Sequence, residues 1–293
     1  MGEQKIMPVV FSGHGSPMIA LEHNEITEGM DRIGRAVEKQ FGRPKAILMV
    51  SAHWYTHGTF VQSAPEPRQV YDMYGFPKEL YQVKYPAKGD RELTRQVEGL
   101  LGSAVAVNDD WGIDHRAWTV LVHMFPKADI PVVQLSVDGD LSYQEEFELG
   151  RKLAPLREQG YLILGSGNVV HNLREVEWDN EGGSAATLRF NDYITEAVLQ
   201  GETDKVIGFA SHPDAGYAVP TPDHGVHGCR RYRPIPGVQQ SLQPGIHGHD
   251  RVCLGDGGVK RGCCLGSGSP LVGSQEPEVG NQRIKLQTIF MNV

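Results

Sequence analysis

Five histidines stand where imidazole chemistry can be done. His14 lies in Ser12-Gly-His-Gly-Ser16, His53 in Ser51-Ala-His-Trp54, and His171 follows Gly165-Ser-Gly-Asn168. His224 closes Pro220-Thr-Pro-Asp-His224, and His115 sits between Asp114 and Arg116. Neutral imidazole is the commonest protein metal ligand, and a mononuclear catalytic site needs about three protein ligands plus an open position. Spacing alone says little, because these residues belong to separate loops and not to a helix-borne pair such as H-E-x-x-H. Context says more: His14, His53 and His171 each follow an apolar run, so each is expected at a strand tip. The alternatives differ by residue. His14 and His53 could simply cap strand ends through hydrogen bonds. His171 could be a proton donor and acceptor beside a metal. His115 could meet a substrate, or be a loop residue tied to Asp114. His23 and His123 fall in expected helices and read as structural. His57 and His212 are open in either direction, and His227, His247 and His249 lie in an atypical tail.

The positioning elements follow from hydrophobic periodicity. Pro8 to Ser12 is a continuous apolar run, as is Lys45 to Ser51. Ile130 to Val137 and Leu162 to Leu164 are two more, and Ala104 to Val107 is a short one. Between them, Leu21 to Phe41 carries Ile26, Met30, Ile33, Val37 and Phe41 at helical steps and stops at Gly42. Leu93, Val97, Leu100 and Leu101 mark a second helix, Tyr143 to Gln159 a third, and Leu188 to Leu199 a fourth. Alternating strands and helices predict an α/β fold, with a mainly parallel or mixed central sheet flanked by helices. Right-handed crossovers then bring the strand tips to one edge, so a metal site is expected at the carboxyl ends of the strands. Ser63 to Lys88, rich in Tyr, Phe, Pro and Gly, is too long for a plain connection. It reads either as an aromatic wall of the site or as a packed surface loop.

Composition narrows the class. With 40% hydrophobic and 22% charged residues the chain has the make-up of a globular domain, and no apolar run is long enough for a membrane span. We expect a cytoplasmic protein without a signal peptide. A net charge of −8 gives no basic footprint for nucleic acid. Ser16 and Ser166 lack a G-x-S-x-G setting for a nucleophile. The Gly-rich turns lack a Walker Lys or a full G-x-G-x-x-G. Metal chemistry is the better-supported class.

At GHGSP (13–17), SAHW (51–54), WGIDHRAW (111–118), GSGNVVHNL (165–173) and HPDA with PTPDH (212–224), the sequence resembles the class III extradiol ring-cleavage dioxygenases. Within that class it is similar to the 4,5-DOPA dioxygenase-like group. The resemblance implies a mononuclear non-haem metal, Fe(II) for catalysis with Zn(II) as another occupant. The implied substrates are a DOPA-like or other small catechol and O2, and the product a muconic semialdehyde. It assigns His14 and His53 as metal ligands, His171 as a fourth histidine or the acid-base group, His224 as the remaining metal-site histidine, and His115 as a substrate-side residue. Asp223 stands beside His224 as an alternative ligand, in keeping with facial triads of two histidines and a carboxylate.

After His224 the sequence changes character. Residues 225–293 hold all four cysteines and 13 glycines, with eight Lys/Arg against four Asp/Glu and no apolar run of strand length before Ile284. We expect 1–224 to form the catalytic domain and 225–293 to be a Gly/Cys-rich segment, disordered or frame-shifted. Two other functional readings stay open at this level: a truncated, metal-binding homologue without activity, and a zinc hydrolase using metal-bound water.

Overall fold

A computed structural model of the chain describes residues 5–170, 172, 183–218 and 253–255. Its centre is a mixed sheet built from β1 (Val9–Ser12), β2 (Ile47–Thr56), β3 (Thr59–Val61), β4 (Val105–Val107), β5 (Val132–Asp138), β6 (Leu162–Ser166) and β7 (Cys253–Gly255), in the order β4-β3-β5-β2-β6-β1-β7. The middle of the sheet, β5-β2-β6-β1, is parallel throughout. β3 runs antiparallel to β5 and carries β4 outside it, in parallel with itself. β7 closes the far edge antiparallel to β1, drawn from the segment in which composition gave no strand signal.

Each central strand is apolar on both faces, because each face is covered. Val10, Ile47, Met49, Val132, Leu162 and Leu164 join a core with helix α1 (Glu25–Phe41) and the residues Trp118, Leu121 and Met124. The alternate positions Val9, Leu48, Val133, Leu135 and Ile163 face Leu93, Val97 and Leu101 of helix α2 (Arg91–Leu101). This period of two divides one continuous apolar run between two layers.

Local chemistry sets the boundaries that differ from the periodic reading. α1 begins at Glu25 because Asn24 caps it, its Oδ1 accepting from Ile26 N and Thr27 N. His23 therefore lies ahead of the helix. His115, for which the sequence leaves a loop position as one of two alternatives, opens helix α3 (His115–Met124), with Asp114 as N-cap. The expected helix Tyr143 to Gln159 divides into α4 (Tyr143–Lys152) and α5 (Pro155–Glu158), since Pro155 donates no N–H and fits only a first turn. Helix α6 (Ala185–Gln200) extends the expected Leu188 to Leu199, capped by Ser184. No helix among the described residues is long and apolar enough to cross a membrane.

The segment Ser63 to Lys88 is a pinned strap. Tyr71 Oη donates to Val83 O at 2.6 Å, Trp118 Nε1 to Val70 O at 3.0 Å and Tyr85 Oη to Phe125 O at 3.1 Å. The Tyr71 ring packs on Trp118 and Tyr81, and Met73 is buried, whereas Tyr74 is exposed.

Candidate metal centre

β1, β6 and β2 end side by side, with Ser166 in register with both Ser12 and Ser51. His14 lies just beyond the end of β1, whereas His53, expected at a strand tip, lies within β2, which runs on to Thr56; the two rings come together with centroids 6.4 Å apart. β2 owes its histidine to an irregularity. Its pairing with β5 breaks between Val50 and Tyr55, so Ala52 to Trp54 step out of the β5 ladder and His53 turns into the site. The first residue of α3 brings in His115, its ring 4.5 Å from that of His53 and edge-on to it.

α3 is aimed by a buried carboxylate. Asp114 is fully buried, and its Oδ1 accepts from Ser51 Oγ at 2.8 Å and from Arg116 N and Ala117 N. Its Oδ2 accepts from Gln134 Nε2 at 2.7 Å and Trp111 Nε1 at 3.2 Å. One side chain thus ties the start of α3 to β2 and β5. A carboxylate with this many donors is satisfied in place and bears on the site only through position.

All three imidazoles are held in the same tautomer. Ser166 Oγ lies 2.8 Å from both His14 Nδ1 and Arg116 O. A carbonyl only accepts, so the hydroxyl hydrogen goes to Arg116 and the contact with His14 is a donation from Nδ1–H. His53 Nδ1 and His115 Nδ1 each lie 2.7 Å from an oxygen of Asp72, which can only accept when ionised. Every ring therefore spends Nδ1–H on an anchor and keeps a lone pair at Nε2, the arrangement of metal-ligating histidines. The loop bearing His14 is fastened further: Asn168 Oδ1 accepts from His14 N and Gly15 N at 3.1 and 3.2 Å. Gly165-Ser-Gly-Asn168 is a clasp on the neighbouring strand end.

Charge is arranged to match. Burial pushes the Asp72 carboxyl up, but the N–H groups of His115 and His53 outweigh it and hold it well below the usual carboxylate range. Burial pushes the His53 imidazole down, Asp72 opposes this, and the positive charge of Arg116 adds to the lowering. His53 is thus neutral and able to ligate. The Arg116 guanidinium itself reaches His14 Nε2.

Among the described residues, His53, Asp72 and His115 form a group whose ligand atoms lie within 4.8 Å of one another and could hold a metal ion. Nitrogen and carboxylate donors of this kind suit Fe(II), Zn(II) and similar divalent ions. His14 and His115 are buried, whereas the side chains of His53 and Asp72 keep 18% and 17% exposure. His171, His224 and Asp223 lie outside the described residues, as do His227, His247 and His249. The remaining histidines have other work. His123 Nε2 donates to Ile19 O, His57 pairs with Asp140 at the surface, and His212 stacks on Tyr193 and accepts from Asp214 N. Asp72 is the residue that sequence reasoning missed. Its only signal is a carboxylate between Tyr71 and Met73 in an aromatic stretch, with nothing in the spacing to pair it with residues 53 and 115.

Residues 8–225 match the family described as the catalytic LigB subunit of aromatic ring-opening dioxygenase. A 4,5-DOPA dioxygenase extradiol of Escherichia coli (strain K12) is 41% identical over 224 residues, covering 74% of this chain and 81% of that protein. One from Beta vulgaris is 36% identical over 228 residues, covering 76% and 84%. Among solved structures, an uncharacterized protein from Escherichia coli K12 superposes with a TM-score of 0.62 at 36% identity, over 74% of this chain and 84% of the other.

Proposed function

Given that this chain belongs to the LigB family and is an extradiol dioxygenase of the 4,5-DOPA dioxygenase-like group, we propose that it opens a small DOPA-like catechol beside its diol. One ring C–C bond breaks and both atoms of O2 enter the product, a muconic semialdehyde. The observation that carries the reading is the set of three imidazoles, His14, His53 and His115, each anchored through Nδ1 and gathered beside the carboxyl ends of parallel strands.

His14 and His53 hold the metal in this reading, completed by His224, with His171 as a further ligand or the acid-base group and Asp223 as the alternative carboxylate. Fe(II), when bound, supplies the open positions and electron exchange that catechol and O2 require, which Zn2+ with no redox chemistry does not. The protein's own contribution is orientation and proton handling. His115, buried and anchored through Nδ1 to Asp72, is the substrate-side residue in this reading and meets a catechol hydroxyl. As the acid-base group, the alternative to a fourth ligand, His171 would take a substrate proton and return one during ring opening, a task suited to an imidazole. Arg116 brings positive charge to where a catechol becomes an anion.

The test is anaerobic loading with Fe(II) followed by O2 consumption and product absorbance with L-DOPA and simple catechols. Uptake of one O2 per ring opened is expected, and no uptake with any catechol sinks the proposal. A second reading, a metal-binding homologue without turnover, is favoured by the family match ending at residue 225 while 1–224 and 225–293 differ so sharply in composition. It predicts bound metal with no O2 uptake. A hydrolase would turn over an ester or amide without oxygen.

A further inference from the structure

We propose that Asp72 is a positioning residue shared by two histidines, not a metal ligand: one carboxylate sets the tautomer of a metal-site histidine and a substrate-side histidine together. This deepens the ring-opening reading and rests on it for the roles of His53 and His115. Both oxygens of Asp72 are already committed. Oδ2 accepts from His53 Nδ1 at 2.7 Å, and Oδ1 accepts from His115 Nδ1 at 2.7 Å and His115 N at 3.1 Å. These contacts take three of the roughly four acceptor sites of an ionised carboxylate and set Asp72 on the Nδ1 side of both rings, away from a metal held at Nε2. Staying as it is, Asp72 leaves two Nε2 lone pairs facing the site and makes both rings better donors of electron density.

The backbone around Asp72 is stiff enough for the task. Val70 O is fixed by Trp118 Nε1, Tyr71 by Val83 O, and Met73 O by Tyr81 Oη. The aromatic strap and the metal-side histidine therefore share one anchor. A substrate that shifts the strap would be felt at His53, and a rotation of His53 would be felt at His115.

The test uses the full-length chain, free of metal, with 15N-labelled histidine. Long-range 1H–15N correlations should show both His53 and His115 as Nδ1–H tautomers. Asp72→Asn offers one acceptor and one donor where two acceptors stood. Its oxygen is expected to stay with His115, which presents two N–H groups, so His53 is expected to invert to the Nε2–H form. Co(II) titration should then show about 10–100-fold weaker binding in Asp72→Asn, the usual effect of losing such a partner. The visible spectrum at saturation should be unchanged, because the ligand set is the same. A wild-type His53 or His115 in the Nε2–H form, or an Asp72→Asn protein with both tautomers retained, overturns the proposal. So does a changed Co(II) spectrum at saturation, which would make Asp72 a ligand. Wild-type protein that binds no Co(II) but shows the expected tautomers would refute the metal-dependent reading while supporting the role of Asp72.

Discussion

Replacing Ser166 with Ala removes a single oxygen, and the structure assigns it two jobs of comparable size. Ser166 and His14 are 3% and 2% exposed, so water does not readily substitute for the lost hydroxyl. The His14 Nδ1–H loses its acceptor at 2.8 Å, and a buried donor deprived of its partner costs about 1–3 kcal/mol. Arg116 O loses one contact, a smaller effect within a helix. The second job concerns metal: without Ser166 to hold Nδ1–H, the Arg116 guanidinium, which a metal at Nε2 must displace, is left to fix the ring, so Nε2 is no longer held as a ligand once a metal arrives. Loss of such an anchoring partner weakens metal binding by about 10–100-fold, equivalent to about 1.4–2.7 kcal/mol. Because the two effects overlap in size, they must be separated. Urea unfolding of metal-free protein reads the first alone, and metal titration of protein verified as folded reads the second. We expect both to fall in Ser166→Ala. Unchanged metal affinity in a folded variant would refute the assignment of the His14 tautomer, and with it the reasoning that singles out Nε2 as the ligand atom.

Arg116 and a metal ion compete for His14 Nε2, and a charge-assisted hydrogen bond is worth about 1.5–3 kcal/mol. Arg116→Ala should therefore bind divalent metal about tenfold more tightly or better by competition with a chelator, and weaker binding would contradict the contact. Gly34 sits where α1 meets α3, and a Cβ there would fall 2.0 Å from Met124 O. Gly34→Ala gains about 1 kcal/mol of helix propensity but suffers overpacking of about 1–3 kcal/mol against rigid backbone, so its urea midpoint should drop. Acid should act on metal-free protein in two stages. His53 is held below its ordinary 6.5, so as pH falls below that value the unfolded chain takes up a proton the native state declines, and stability declines. Asp72 is held below its ordinary 3.8, so its contribution is present above that value and is lost as pH falls further. The gap in urea midpoint between wild type and Asp72→Asn should narrow below pH 3.8, and a gap that widens would reverse the argument.

The central strands were legible because each is a continuous apolar run serving two covered faces. β3 was not, being three residues long and paired antiparallel through little more than Val61 with Leu135. His14 and His53 were legible because the strand before each names its position. The role of Asp72 depends on a loop fold that joins residues 53, 72 and 115, and no local pattern records that closure. Ser166 was weighed as a nucleophile from its glycine neighbours, and only the register that sets it beside Ser12 and Ser51 reveals it as an anchor. Asp114 both caps α3 and crosslinks two strands, and only the first role has a signature in sequence.

The pairing of β1 with β6 also bears on how the molecule is made. Its register joins Ser12 to Ser166, so the first strand to leave the ribosome waits for about 150 further residues before its central neighbour exists. At about 5–20 residues per second this is roughly 8–30 s, during which three apolar residues, Val9, Val10 and Phe11, have no permanent partner. His14 gains its tautomer only when Ser166 arrives, so metal affinity is acquired at the end of synthesis of the sheet's core and not at its beginning. A nascent chain released before residue 166 would carry His14 and His53 and still lack the anchor that fixes the first of them.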